Sequence, residues 1–284
     1  MFIEKQKYEI HDLIEIMRTL RADDGCPWDK EQSHATIRMN VLEEAYEVAE
    51  AIDSGSPELL KEELGDLLLQ IIFHSQISAE SGGFRFEEVC DVICRKLIYR
   101  HPHIFASLDV SGTDEVLRNW EALKSKSKGE QSAADSLENV PKTLPALMRG
   151  EKVGKRAANL GFDFENTAQV IARLREEIDE LEEAYNRRES FTSDESPESV
   201  KSLEFADLTK INDEIEEEFG DILFTCCNLS RFLQKVPEKA LTSAINKFIM
   251  RFRAVEALAS RTGQTIAELP QSTLDELWEK AKER

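Results

Sequence analysis

Acidic side chains recur at a three-residue spacing in two segments of the N-terminal half of the chain. Glu44 and Glu47 form one pair, and Glu63 and Asp66 form a second. Residues three apart lie on one face of an α-helix, so two neighbouring helices can direct these carboxylates at one point. Hard oxygen ligands of this kind suit Mg²⁺ or Mn²⁺. The spacing therefore predicts a divalent-cation site.

The C-terminal half repeats this pattern, with Glu177 and Glu180 as one pair and Glu218 and Asp221 as the other. Whole segments match in the same order: Glu43-Glu44 and Glu176-Glu177, Glu62–Leu69 and Glu217–Phe224, Lys96–Arg100 and Lys247–Arg251, Trp120–Lys124 and Trp278–Lys282. The offset between matching residues is 133 for the first segment and 151 to 158 for the others. We interpret this as a tandem duplication and call its halves copy one and copy two.

Acidic residues on helices most often form a solvated face, but the charge pattern here favours a metal site. No Lys or Arg lies between Met39 and Leu60, so the glutamates of copy one lack basic partners four residues further along the helix. Copy two has the same gap from Glu176 to Asn186. Like charges at this spacing destabilise a helix by roughly 0.2–0.5 kcal/mol per pair. A bound cation would remove that repulsion.

Two further features point the same way. Asp66 and Asp221 precede strongly apolar runs, where an ionised carboxylate needs a partner. Gly65 and Gly220 stand in the middle of predicted helices, where glycine costs about 1 kcal/mol relative to alanine. The recurrence of that glycine predicts a close backbone approach.

A di-iron carboxylate bundle is the main alternative metal site, because it also uses glutamates on four helices. Such a bundle requires a Glu-x-x-His motif on two of them. Only Glu31–His34 has this spacing here, outside the acidic segments, and all 5 histidines precede residue 104. Redox iron is therefore disfavoured.

The elements that carry these residues are predicted to be helices. At 284 residues the chain exceeds the usual single domain, and its 12 glycines and 8 prolines are few. We predict an all-α protein of two tandem helical bundles: residues 1–128, a linker and basic helix at 129–160, and residues 161–284. Apolar stripes at helical spacing should face the two cores: Leu60, Leu64, Leu67, Leu68 and Ile71, then Ile215, Phe219, Ile222, Leu223 and Cys226. Residues 188–209 are predicted to form a longer surface loop in copy two.

Two proline motifs predict helix ends. Ser56-Pro57 supplies an N-cap and a proline at the first helical position, and His101-Pro102 ends the helix that carries Lys96 and Arg100.

The composition excludes several classes of partner. A net charge of −20 repels a phosphate backbone, so we expect no nucleic-acid polymer as ligand. No apolar run approaches the roughly 18–20 residues of a membrane span, and the N-terminus lacks the layout of a signal peptide. The 5 cysteines show no C-x-x-C spacing. They are typical of free thiols in a cytoplasmic protein, mostly packed in the core.

The motif Glu-Glu-x-x-Glu, followed after a spacer by Glu-x-x-Asp, resembles the all-alpha nucleoside triphosphate pyrophosphohydrolases. The tandem arrangement is similar to that of the MazG family among them. Further segments match as well: Cys26-Pro27-Trp28-Asp29, Leu42–Glu47, and Arg100–Phe105. The resemblance extends over essentially the whole chain, and the ordered set is far more specific than any single motif.

This resemblance implies a Mg²⁺-dependent hydrolase, with Mn²⁺ as a substitute, that converts a nucleoside triphosphate into monophosphate and pyrophosphate as a homodimer. Metal-activated water would attack the α-phosphorus, with Glu43 or Glu176 orienting or deprotonating it. Cations one helical turn apart suit the β- and γ-phosphates, and a tryptophan can stack on a base. The expected substrate contacts are Lys96, Arg100, Trp120 and Lys124 in copy one, and Lys247, Arg251, Trp278 and Lys282 in copy two. Copy two is expected to carry catalysis.

Two alternatives remain open from the sequence. One is a non-catalytic helical module that senses nucleotides or binds another protein through its acidic faces. The other is a dUTPase-like diphosphatase that shares the metal motif. The accepted bases, and whether both copies work, do not follow from the residues.

Overall fold

The computed structural model describes residues 5–127, 132–193, 201–261 and 263–282. Throughout these ranges the regular structure is helical, with no strand, which confirms the predicted all-α fold. The chain divides into two compact units, Met1–Lys128 and Gly129–Arg284. No helix in the described ranges has both the length and the apolar character that a membrane crossing needs.

The first unit is built around two long helices. Its elements are α1 (Ile10–Leu20), α2 (Pro27–Glu31), α3 (Arg38–Ser54), α4 (Pro57–Glu80), α5 (Phe86–Arg100), α6 (Pro102–Phe105) and α7 (Thr113–Ser127). A tight turn joins α3 to α4: Gly55 adopts φ 71°, and the Ser56 side chain accepts a hydrogen bond from the Leu59 amide. The left-handed backbone is open to glycine without steric cost, so this turn brings α3 and α4 side by side.

The core of the first unit lies toward the C-terminal half of α4. Met17, Ile37, Ile72 and Phe73 are buried there. The buried Arg21 guanidinium donates to the Glu80 carboxylate at 2.7 Å and to the backbone oxygen of Gln32 at 3.1 Å. Because it joins α1, the segment after α2 and the end of α4, this arginine fixes their packing.

The second unit repeats this plan with longer helices. Its elements are α8 (Ala133–Glu138), α9 (Ala146–Asn159), α10 (Thr167–Ser193), α11 (Lys201–Phe232), α12 (Pro237–Ser260), a 3₁₀ turn (Ile266–Glu268) and α13 (Gln271–Lys282). Helices α10 and α11 correspond to α3 and α4. Helix α9 packs closely on α11, because Gly150 and Gly154 present no side chain toward Cys227 and Asn228.

The predicted apolar stripes contribute little to the core: Leu68 packs against the core of the first unit, but no residue of either stripe is fully buried. In α4 the fully buried apolar residues are Ile72 and Phe73, while Leu64 and Ile71 remain 49% and 41% exposed. In α11 the exposed fraction of Phe219 is 54%. The expectation of a close approach at Gly65 and Gly220 was also wrong within the chain, since an added Cβ would meet nothing within 4 Å. Helical periodicity identifies a shared face but not the element that covers it.

Two other sequence expectations need correction. Residues 188–193 and 201–209 continue α10 and α11 instead of forming a surface loop; residues 194–200 lie outside the described ranges. Just before this segment, the Arg187 guanidinium of α10 bonds the Glu214 carboxylate of α11 at 2.6 Å. The cysteines are all free, as expected, but only Cys227 is buried.

Candidate functional site

The first acidic cluster lies where α3 and α4 run side by side. One carboxylate oxygen each from Glu44, Glu63 and Asp66 falls within 4.8 Å of the others. Glu47 lies outside this group, yet its negative charge acts on both Glu44 and Glu63. The tight turn at Gly55 positions the cluster, because it sets the register of the two helices.

The second acidic cluster has the same composition on α10 and α11. Glu177, Glu218 and Asp221 bring carboxylate oxygens within 4.8 Å of one another, and Glu177 is buried. Glu180 lies outside this group as well, and its charge acts on Glu218. In both copies the structure therefore brings together three of the four predicted ligands and places the fourth near them.

Burial and mutual repulsion raise the pKa of carboxyl groups in both clusters. Burial is the larger cause of the raised pKa of Glu44, followed by the charge of Asp66. For Glu218 burial is again first and the charge of Glu180 second. The pKa of Glu177 is also raised by burial, but the positive charge of Arg173 opposes that shift. Three carboxylates held this close suit a divalent cation, which would offset their repulsion.

One oxygen of Glu177 supports this assignment independently. Its Oε1 pairs with Arg173, whereas its Oε2 is buried and has no hydrogen-bond partner. A buried carboxylate oxygen without a partner carries a desolvation cost that a metal ion would remove. The donor set, oxygen only, fits a hard cation such as Mg²⁺.

Sequence reasoning missed Arg173, which lies on α10 one turn before Glu177. Its Nε lies 2.7 Å from Glu177 Oε1, its Nη1 lies 3.1 Å from Glu176 Oε2, and its Nη2 lies 3.7 Å from Glu180 Oε2. The predicted gap from Glu176 to Asn186 contains no basic residue, but the acidic helix of copy two has a basic partner one turn before it. The available signal was the i to i+4 spacing from Arg173 to Glu177, which favours an ion pair.

The predicted substrate contacts of copy one lie against each other. The Arg100 guanidinium lies 5.3 Å from the Trp120 ring centroid, and the Lys124 ammonium lies 4.7 Å from it. Arg100 also donates to the Ser127 hydroxyl at 3.0 Å. Lys96 is exposed on α5. The ring of Trp120, which we expected to stack on a base, is thus already in contact with two cations of the same copy.

The corresponding residues of copy two are arranged differently. Trp278, on α13, packs at 5.1 Å and a tilted angle against the Phe248 ring of α12. Lys247 is exposed, and neither it nor Arg251 forms an ion pair among the described residues. Lys282 lies on α13 and pairs with Glu279 at 2.5 Å. In neither copy does an ion pair join these cations to the acidic cluster, as far as the described ranges show.

The two predicted water-activating residues are exposed next to their clusters. Glu43 lies on α3 beside Glu44, and Glu176 lies on α10 beside Glu177. Glu176 accepts a hydrogen bond from Arg173 at 3.1 Å. These positions are compatible with a role beside the cluster.

Comparison with known proteins agrees with the family resemblance and with the duplication seen in the sequence. The sequence pattern of the MazG nucleotide pyrophosphohydrolase domain matches residues 32–105 and again residues 165–255. The nucleoside triphosphate pyrophosphohydrolase/pyrophosphatase MazG of Thermotoga maritima is 40% identical over 271 residues, which cover 95% of this chain and 94% of the relative. The nucleoside triphosphate pyrophosphohydrolase of Escherichia coli strain K12 is 39% identical, with 96% and 97% covered. A Bacillus subtilis protein, YabN, is 37% identical over 99% of this chain and 54% of its own length.

Proposed function

Because this chain belongs to the MazG nucleotide pyrophosphohydrolase family, we propose that it converts nucleoside triphosphates and deoxynucleoside triphosphates into monophosphates and pyrophosphate. The observation that carries this proposal is the acidic cluster found in each matched domain, with three carboxylates within 4.8 Å. The relatives from Thermotoga maritima and Escherichia coli carry the same activity in their names and align over nearly the whole chain.

The ion that we propose for these clusters is Mg²⁺, with Mn²⁺ as a substitute. Glu177, Glu218 and Asp221 would hold it in copy two, with Glu180 beside them, and Glu44, Glu47, Glu63 and Asp66 are the counterparts in copy one. When bound, such an ion binds phosphate oxygens, offsets their charge and lowers the pKa of a water molecule. The unpartnered Oε2 of Glu177 supports a ligand at this place.

Residues around the cluster have separate roles in the proposed reaction. Glu176 would orient or deprotonate the attacking water in copy two, as Glu43 would in copy one. Lys247 and Arg251 lie one turn apart on α12 and are suited to the β- and γ-phosphates. Trp278 and Lys282 lie on the adjacent α13 and complete the substrate contacts that we propose.

We propose that the protein is a homodimer, because each unit leaves a large apolar surface uncovered. Along α12 the exposed residues include Ile245, Phe248 and Met250, and along α4 they include Leu64 and Ile71. Large apolar side chains that lie exposed side by side on one helix mark an interface. A second copy of the chain would also cover the open space at Gly65 and Gly220.

The test is a product assay that resolves pyrophosphate from free phosphate, across the eight common ribo- and deoxyribonucleoside triphosphates and dUTP. We expect pyrophosphate and monophosphate in equal amounts, and loss of turnover when EDTA removes divalent cations. Binding of nucleotides without any product would instead indicate a non-catalytic sensing module. Hydrolysis of dUTP alone would indicate a dUTPase-like enzyme, and full turnover after exhaustive EDTA treatment would contradict the metal assignment.

A further inference from the structure

The two acidic clusters differ in one charged contact. Arg173 contacts three carboxylates of copy two at 2.7, 3.1 and 3.7 Å. The offset of 133 residues that relates Glu44 to Glu177 places Asn40 at the corresponding position of copy one. An amide carries no charge. Within the described ranges no Lys or Arg forms an ion pair with Glu44, Glu47, Glu63 or Asp66.

The arginine of copy two competes directly with a divalent cation. A guanidinium that bonds a carboxylate forms one of the stronger hydrogen bonds in proteins, and here it bonds a buried one. A metal ion that enters the cluster must share Glu177 with Arg173 and must tolerate its positive charge nearby. Copy one presents the same three carboxylates without this competitor, so its cluster should bind a divalent cation more tightly.

The same guanidinium is suited to a phosphate. Carboxylate and phosphate oxygens accept the planar fork of arginine in similar geometry. The Arg173 side chain is 40% exposed, so it has room to turn away from the cluster. The second oxygen of Glu177, buried and without a partner, remains available to a metal ion while the first is still paired.

We propose that Arg173 makes metal binding in copy two depend on nucleotide. Without nucleotide the guanidinium neutralises the cluster and weakens its affinity for the free cation. When the metal arrives together with a triphosphate, the guanidinium leaves Glu177 and Glu180 and bonds the phosphate oxygens. Copy one, which has Asn40 at this position, binds the cation without nucleotide. The part of this inference that concerns nucleotide rests on the proposed function. The part that concerns competition between Arg173 and the metal ion does not.

The first experiment measures Mn²⁺ binding to the full-length chain without nucleotide, by electron paramagnetic resonance. We expect the wild-type chain to bind tightly at copy one only. Arg173→Asn, which reproduces copy one, should tighten binding at copy two at least tenfold, and Asn40→Arg should weaken binding at copy one to a similar extent. Arg175→Asn is the matched control, because it removes the same charge from an exposed position on the same helix. Equal Mn²⁺ affinities in wild type, Arg173→Asn and Arg175→Asn would overturn the proposal.

The second experiment measures binding of an α,β-methylene analogue of the best substrate, in the presence of Mn²⁺, by calorimetry. Arg173→Asn should weaken analogue binding at least tenfold, Arg173→Lys should weaken it less, and Arg175→Asn should leave it unchanged. If Arg173→Asn bound the analogue with wild-type affinity, the proposal that the Arg173 guanidinium moves from the carboxylates to the phosphate oxygens would be overturned. If the wild-type chain bound no triphosphate at all, the proposed function would fail, while the Mn²⁺ titration would still decide whether Arg173 competes with metal.

Discussion

The carboxylates of the two clusters oppose folding while no cation is bound. A carboxyl group whose pKa is raised in the folded state holds its proton more tightly there than in the unfolded chain. Its ionisation above that raised pKa therefore lowers the free energy of unfolding. Glu44, Glu63, Glu177 and Glu218 all have a raised pKa, with burial as the first cause. Such an arrangement persists where the acids have a function, here the binding of a cation.

Replacing Asp221 by asparagine separates a metal ligand from a surface charge. Asp221→Asn keeps the size of the side chain and removes the charge that would hold the cation. Because the aspartate is exposed, we expect the fold to survive, with helix content unchanged by circular dichroism. Metal-dependent release of pyrophosphate should fall at least tenfold, which corresponds to about 1.4 kcal/mol of lost transition-state stabilisation. Wild-type kinetics in the folded variant would show that these acids form a solvated face and do not hold a catalytic metal ion.

A pair of histidines makes the stability of the first unit depend on pH in the opposite direction to the acidic clusters. His34 Nδ1 lies 2.7 Å from His74 Nδ1, and the rings are stacked. Such a contact requires one neutral ring, since two protonated rings would both be donors. The pKa of His74 is lowered, first by burial and then by the charge of His34. As the pH falls, His74 is therefore protonated earlier in the unfolded chain, near the ordinary histidine pKa of about 6.5, than in the folded chain.

We expect the contribution of this histidine pair to the free energy of unfolding to fall as the pH is lowered from 7.5 to 5, because the unfolded histidine is protonated first. The measurement is urea denaturation at both pH values for wild type and for His34→Gln/His74→Gln. The double variant should lose less stability over this interval than wild type does. His11→Gln serves as the control, because His11 is exposed outside this contact. An unchanged pH dependence in the double variant would show that the pair does not titrate on unfolding.

At the scale of helices, the sequence predicted where helices begin and end better than which of their faces are buried. Ser56-Pro57 marks the start of α4 and His101-Pro102 the end of α5, because capping and proline stereochemistry act within a few residues. Leu64 and Phe219 were expected in the core but lie exposed. In the proposed homodimer a second copy of the chain would cover them, and periodicity cannot identify such a partner. Arg173 is a local signal of another kind, because it lies one helical turn before Glu177, whereas the predicted charge pattern concerns residues one turn after each glutamate.

The contact between α9 and α11 depends on two glycines one turn apart. A Cβ at Gly154 would lie 2.4 Å from Asn228 Oδ1, and one at Gly150 would lie 2.9 Å from Cys227 Sγ. Gly154→Ala should therefore lower the free energy of unfolding by about 1–3 kcal/mol, since the helices must move apart or Asn228 must leave its position. Thermal or urea denaturation measures this change.

The control for Gly154→Ala is a helical glycine without a close neighbour. Gly220 lies in α11 with nothing within 4 Å of an added Cβ in the single chain. Measured in a monomeric state at low protein concentration, Gly220→Ala should be neutral or stabilising, because alanine is the better helix former by about 1 kcal/mol. Equal destabilisation by both substitutions would mean that the loss at Gly154 does not come from the contact with α11.

For the molecule as a whole, duplication has left two clusters with equal ligands and unequal surroundings. In copy one, Arg100 and Lys124 approach the ring of Trp120, so these cations and the aromatic face already engage each other. In copy two, Lys247 is exposed, Arg253 follows Arg251 on the same helix, and Arg173 lies at the cluster. A triphosphate carries about four negative charges and should bind better where more cations converge on it.

We therefore expect copy two to be the main catalytic site and copy one mainly to stabilise the assembly. The test is a matched pair of double substitutions, Glu44→Gln with Glu47→Gln against Glu177→Gln with Glu180→Gln, each assayed for pyrophosphate release. Both variants remove two charges from corresponding helices, so a general effect of charge on folding should be similar in the two. The copy-two variant should lose turnover at least tenfold, a loss of about 1.4 kcal/mol in transition-state binding. The copy-one variant should keep turnover but lose its metal-dependent rise in melting temperature, because its cluster binds the cation without nucleotide. Loss of turnover in the copy-one variant alone would reverse the assignment, and equal partial losses would mean that both copies hydrolyse nucleotide.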